Sequence, residues 1–226
     1  VHRLPAAPRL GLMASSQSRA APAERPRIGV FGGAFDPPHR THLDLARAAL
    51  AQAGLAELRI FPTGQAWHKA RTLSSAADRL AMARLAFAEV PGTVVDAREI
   101  VRDGPTYTLD TLRELQAERP EAQLVLMMGT DQARALPTWH GWQDILSIAT
   151  ILIAARADAA GAVGRFDPQT LPGLPAGARF EFLHVTPVAT SATDIRARAG
   201  RGEDISSLVP PAVARYIDQH HLYRPA

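Results

Sequence analysis

A chain of 226 residues, 46% hydrophobic and 21% charged, is long enough for one α/β domain with a sizeable core. Cysteine is absent, which excludes disulfides, thiolate catalysis and cysteine metal sites and is compatible with a reducing cytoplasm. The net charge of +3 is concentrated at the start, because residues 1–27 hold five arginines against one acid and residues 28–226 net to −1, leaving no general basic surface for a polynucleotide.

Residues 1–26 are rich in Ala, Pro, Arg and Ser without periodicity, which predicts a disordered N-terminal extension ahead of a single domain over 27–226. Short apolar runs predict strands at 28–31, 57–61, 94–97, 123–128, 148–154 and 180–185. None approaches the ~20 residues of a membrane span. Between them, Leu43, Ala46, Ala49, Leu50 and Ala53 keep helical spacing, as do Leu80, Ala83, Leu85, Ala86 and Val90, and then Leu109, Leu112 and Leu115. Strands alternating with helices imply a parallel sheet covered on both faces, an α/β fold. Residues 157–178 carry several Gly and Pro and read as a mobile excursion, and 210–223 read as a last helix closing near His220.

The most informative stretch lies where the first strand meets the first helix: Gly32-Gly33-Ala34-Phe35-Asp36-Pro37-Pro38-His39-Arg40-Thr41-His42. Adjacent glycines let the backbone come close to a bound group, and amides at a helix N-terminus carry partial positive charge. His39 and His42, three apart, fall on one side of a helical turn. Together these predict an anion site, with phosphate as the anion.

Further along, Lys69 is the single lysine among 25 basic residues. It follows the second strand, where an ammonium can neutralise phosphate; the alternative of a solvated surface lysine is weakened because every other basic residue is arginine. Thr106, Thr108 and Leu109 begin a helix, either as an ordinary cap or as amide donors. Gly129 and Asp131 end the fourth strand, where the carboxylate can accept from ribose hydroxyls or cap the next helix. Trp139 can stack on a flat ring or simply pack, and His140 follows it. Ser191, Thr193, Asp194 and Arg196 form a capping-box pattern that doubles as a second phosphate clamp.

The first and last of these motifs resemble the two signatures of the nucleotidyltransferases related to class I aminoacyl-tRNA synthetases. Thr41 departs from them, standing where the family usually has glycine. The Gly-X-Asp and Pro-Thr-Trp strings resemble the family's nicotinate-specific branch, the bacterial nicotinate-nucleotide adenylyltransferases. This resemblance implies a Rossmann-like doubly wound parallel sheet of order about 3-2-1-4-5 with C-terminal helices. It implies adenylyl transfer from ATP to nicotinate mononucleotide, giving deamido-NAD and pyrophosphate.

It also implies roles. Amides of Gly32, Gly33, Ala34 and Phe35, with His39 and His42, would hold the ATP phosphates. Ser191, Thr193 and Arg196 would hold the departing β,γ-phosphates, and Lys69 would balance charge where the two substrates' phosphates meet. Gly129 and Asp131 would receive ribose. Amides at Thr108, Leu109 and His140, with Trp139 stacking, would receive the nicotinate ring. Mg²⁺ is expected to arrive with ATP, without a protein-held metal site, and Asp36 is read as a turn-former. The expected location is cytoplasmic, the partners small molecules, with neither nucleic acid nor membrane, and a homodimer stays open. Two alternatives stay open too: an adenylyltransferase for phosphopantetheine or nicotinamide mononucleotide, and a non-catalytic nucleotide-binding regulator.

Overall fold

Successive side chains of an extended strand point to opposite faces, and the central strands carry apolar groups at both parities. Val125 and Met127 enter one core cluster while Leu124, Leu126 and Met128 enter the other, and Leu152 parts from Ile151 and Ile153 in the same way. Such strands are stable only when both faces are covered. The computed structural model, which describes residues 25–64, 73–155, 166–185 and 190–224, shows how that is done.

Six strands, β1 (Arg27–Gly33), β2 (Glu57–Pro62), β3 (Thr93–Val95), β4 (Gln123–Gly129), β5 (Ala149–Ala155) and β6 (Phe180–His184), form one sheet of order β3-β2-β1-β4-β5-β6. Every pairing is parallel. The order expected from the resemblance holds, and β6 extends it by one strand.

Helices α1 (Arg40–Gln52), α2 (Ala76–Phe87), α7 (Ala192–Gly200) and α8 (Pro211–Gln219) cover one face. They do so with Leu43, Ala46 and Ala49, with Met82, Ala83 and Ala86, with Ile195, and with Val213 and Ile217. Helices α4 (Thr108–Glu118), α5 (Thr130–Ala135) and α6 (Trp142–Ile148) cover the other, with Leu109, Leu112 and Leu115, Ala133, and Ile145 and Leu146. The short helix α3 (Arg98–Val101) precedes α4. Serine caps start two of these helices: the Asp78 amide donates to Ser75 Oγ at 3.0 Å and, as the capping-box pattern predicts, the Asp194 amide to Ser191 Oγ at 3.1 Å.

Two expectations need adjustment. Arg25 already belongs to the folded part, since its guanidinium donates to the carbonyls of Glu121 at 2.8 Å and Pro120 at 3.0 Å. Within the 157–178 excursion, residues 166–178 include a short 3-10 turn and bury Phe166 and Leu171 against the α4 and α6 face. Two apolar anchors hold that segment despite its Gly and Pro content; residues 156–165 lie outside the described ones. Among the described residues no helix is long and apolar enough to cross a membrane.

Because β1 pairs with β2 on one side and β4 on the other, chain connections leave β1 in opposite directions. That switch point opens a crevice at the carboxyl ends of the strands, the usual ligand position in such sheets.

Candidate functional site

The turn after β1 is built around one strained aromatic residue. Phe35 has φ of 46°, a left-handed conformation rare outside glycine, at a cost of about 1–3 kcal/mol. Its ring offsets this by burial, meeting Phe31 edge-on at 5.5 Å and Phe87 at 5.4 Å between centroids. The two glycines ahead of it do different things. A Cβ on Gly33 would meet the Phe35 ring at 3.0–3.2 Å, so Gly33 makes room for that ring. At Gly32 a Cβ would meet nothing within 4 Å, so this glycine keeps open space beside the backbone.

The turn then delivers two imidazoles. His39 occupies the N-cap of α1 and is 5% exposed, and His42 lies one turn in, with ring centroids 3.9 Å apart. The His39 amide donates to His42 Nδ1 at 3.2 Å. A ring that accepts at Nδ1 carries its proton on Nε2 when neutral, so His42 presents Nε2–H as a donor. Phe35 packs on the same ring at 5.1 Å and fixes its orientation. The Thr41 hydroxyl is buried and has no hydrogen-bond partner among the described residues.

Asp36 gathers four segments. Its Oδ1 accepts from the Tyr223 hydroxyl at 2.7 Å and its Oδ2 from the Ser74 amide at 3.2 Å. Its carbonyl accepts from Arg196 Nη1 at 2.7 Å, although the two residues are 160 positions apart. Burial, with the Asp36 charge second, pushes the Tyr223 hydroxyl up, so it stays a donor. The sequence reading of Asp36 as a turn-former captures its position but misses this hub. Arg196 Nη2 also donates to Thr193 Oγ1 at 3.0 Å, so Arg196 and Thr193 reach the site as a joined unit rather than two separate ligands. Ser191 accepts as the α7 cap and keeps its own hydroxyl proton to donate. The N-termini of α1 and α7 are thus brought to one place.

Thr108, Leu109, Trp139 and His140 form a second group. Leu109 is 2% exposed, and a Cβ on the left-handed Gly141 would collide with its side chain, so only its amide is available to a ligand. Trp139 is partly buried against the α4 and α6 core. Tyr107, which the sequence reading did not select, packs on His140 with centroids 4.4 Å apart and the rings tilted by 30°. Gly129 caps α5, and the Asp131 side chain is 98% exposed beside Arg134. Lys69 lies outside the described residues.

Arg79 is the largest omission from the sequence reading. It is 2% exposed, and its guanidinium donates to the carbonyls of Ala34, Thr63, Gly64 and Ser74 at 2.7–3.2 Å. With 24 arginines in the chain, nothing in its local sequence distinguished it.

A parallel switch-point sheet whose two signature loops are joined by the Arg196–Asp36 bond is the frame of a nucleotidyltransferase. The chain belongs to the cytidylyltransferase-like family, which matches residues 30–207. It is similar to a protein of Albidiferax ferrireducens named as a probable nicotinate-nucleotide adenylyltransferase, with 55% identity over 88% of this chain and 99% of that one. A Methylibium petroleiphilum protein of the same name is 44% identical, over 88% of this chain and 93% of its own. The fold matches the Plasmodium falciparum nicotinic acid mononucleotide adenylyltransferase complexed with NaAD, with a TM-score of 0.68 at 16% identity, covering 88% of this chain and 97% of that one.

Proposed function

We propose that the protein transfers the adenylyl group of ATP to nicotinate mononucleotide, forming deamido-NAD and pyrophosphate in NAD biosynthesis. The observation that carries this reading is the 2.7 Å bond from Arg196 to the Asp36 carbonyl, which joins the helix starts of the two signature loops. An acceptor phosphate oxygen attacks the α-phosphorus of ATP, the bond to the β-phosphate oxygen breaks in line, and pyrophosphate leaves. The nucleophile is already charged, so positioning and charge neutralisation suffice.

His42 Nε2–H and His39 donate to the α-phosphate and the bridging oxygen. Amides of Gly32, Gly33, Ala34 and Phe35 line the near side, and Ser191, Thr193 and Arg196 receive the β,γ-phosphates. Lys69 meets the acceptor phosphate, Gly129 and Asp131 the ribose. Amides at Thr108, Leu109 and His140 face the nicotinate carboxylate beside the Trp139 ring. Among the described residues no cluster of three or more His, Asp or Glu is disposed to hold a metal. Amide N–H groups and guanidinium are donors that suit oxygen anions rather than cations, and Mg²⁺ enters as the counter-ion of ATP. We assign the reaction to the cytoplasm, with small-molecule partners and with monomer or homodimer equally compatible.

The test is pyrophosphate release from Mg²⁺-ATP with nicotinate mononucleotide, nicotinamide mononucleotide and phosphopantetheine in parallel. Release is expected with the nicotinate compound above the others, and His42→Ala should lower kcat by about 10²–10³-fold, as loss of one transition-state donor does. Preference for phosphopantetheine would overturn the acceptor, and silence with all three would overturn the reaction.

A further inference from the structure

Arg79 lies behind the turn rather than in it, and among the described residues it donates to main-chain carbonyls at the ends of β1 and β2 and ahead of α2. A trans peptide is planar, with its C=O and N–H pointing in opposite directions. Among the described residues the single cis bond is Asp36–Pro37, so the Ala34–Phe35 and Thr63–Gly64 peptides are trans. Drawing the Ala34 and Thr63 carbonyls back onto the guanidinium, at 3.1 and 2.7 Å, therefore turns the Phe35 and Gly64 amides away from it. Neither amide donates to any group among the described residues. Both lie just past the carboxyl ends of neighbouring strands, where the Thr63 amide is already bonded to the Gly33 carbonyl at 2.9 Å.

We propose that Arg79 is a positioning residue for the adenylyl transfer described above: it aims the Phe35 and Gly64 N–H groups into the crevice as a paired donor for nucleotide phosphate. The guanidinium fork suits this task because it offers five donors in a fixed plane, whereas an ammonium offers three from one point. Its fixed positive charge behind the turn favours an anion in front of it as well. The proposal rests on the nucleotidyl-transfer reading only for its kinetic arm.

The decisive experiment combines two readouts. In wild-type protein titrated with inorganic pyrophosphate, the amide resonances of Phe35 and Gly64 should move in a saturable ¹H–¹⁵N response. In steady-state assays Arg79→Lys, checked for a native melting profile, should lose at least tenfold in kcat with less than a twofold change in KM for nicotinate mononucleotide. Methylguanidinium should restore part of the activity of Arg79→Ala. Silent Phe35 and Gly64 resonances would overturn the proposal. So would a folded Arg79→Lys with wild-type kcat, or one whose kcat and acceptor KM deteriorate together, because that pattern marks general loosening. If the variants fail to fold, the wild-type titration decides alone. If the wild type releases no pyrophosphate with any acceptor, the reaction assignment fails while the amide titration still judges Arg79.

Discussion

Replacing Glu99 by glutamine should strengthen the fold at pH 8 and leave it almost unchanged at pH 4. Glu99 is 7% exposed between α3 and α4, and its Oε1 accepts from the Thr111 hydroxyl at 2.9 Å. Burial dominates its titration and pushes the carboxyl from an ordinary 4.5 up to about 7. The Thr111 hydrogen bond and the Arg102 charge pull the other way, and the Asp96 and Glu114 charges add to the rise. Between these values the folded chain keeps a proton that the unfolded chain has released. The stability tied to the neutral carboxyl is therefore complete below about pH 4.5 and declines as pH rises to about 7.

At about 1.4 kcal/mol per pH unit, the ionised group weakens the fold by ~3 kcal/mol at pH 8. Glutamine keeps a carbonyl for Thr111 and carries no charge. Urea unfolding of both proteins from pH 4 to 8 should show an advantage for Glu99→Gln of a few tenths of a kcal/mol at the acid end, growing to about 2–3 kcal/mol at the alkaline end. A constant offset across the range would refute the reasoning.

Tyr223→Phe keeps the ring and removes the donor to the buried Asp36 carboxylate. A loss of about 1.5–3 kcal/mol is expected for a bond to a charged group, read as a melting temperature lowered by several degrees; an unchanged melt would show that the bond contributes nothing. Gly141→Ala meets both the positive φ and the Leu109 side chain. It should destabilise by about 1–3 kcal/mol and raise the KM for the acceptor severalfold with little effect on that for ATP. Equal effects on both substrates would detach the Trp139–His140 turn from acceptor binding.

The elements whose information is local were legible in the sequence. Leu124 to Met128 is apolar at both parities, so a buried parallel strand is its one comfortable environment, and Ser75 and Ser191 cap helices because their side chains need only reach three residues ahead. The two signature loops were readable for the same reason, since each is a contiguous string at a strand-to-helix junction. What escaped is what depends on distant partners. Arg79 acts on carbonyls up to 45 positions away and looks like any other arginine of a helix first turn. Asp36 declares a turn in its own neighbourhood, while its bonds to Arg196 and Tyr223 exist only once the sheet is assembled. Phe166 and Leu171 were masked by the Gly and Pro around them, which report chain freedom and say nothing of two buried side chains.

The bond from Tyr223 to Asp36 closes over 187 positions. During synthesis, the first signature leaves the ribosome early and waits for nearly two hundred more residues before its carboxylate meets that hydroxyl. A nascent chain halted before residue 223 can assemble all six strands and still leave the phosphate turn without one of its anchors. Nucleotide affinity should consequently develop after the bulk of secondary structure in a refolding or translation time course, as the slow closure of a contact of high sequence separation.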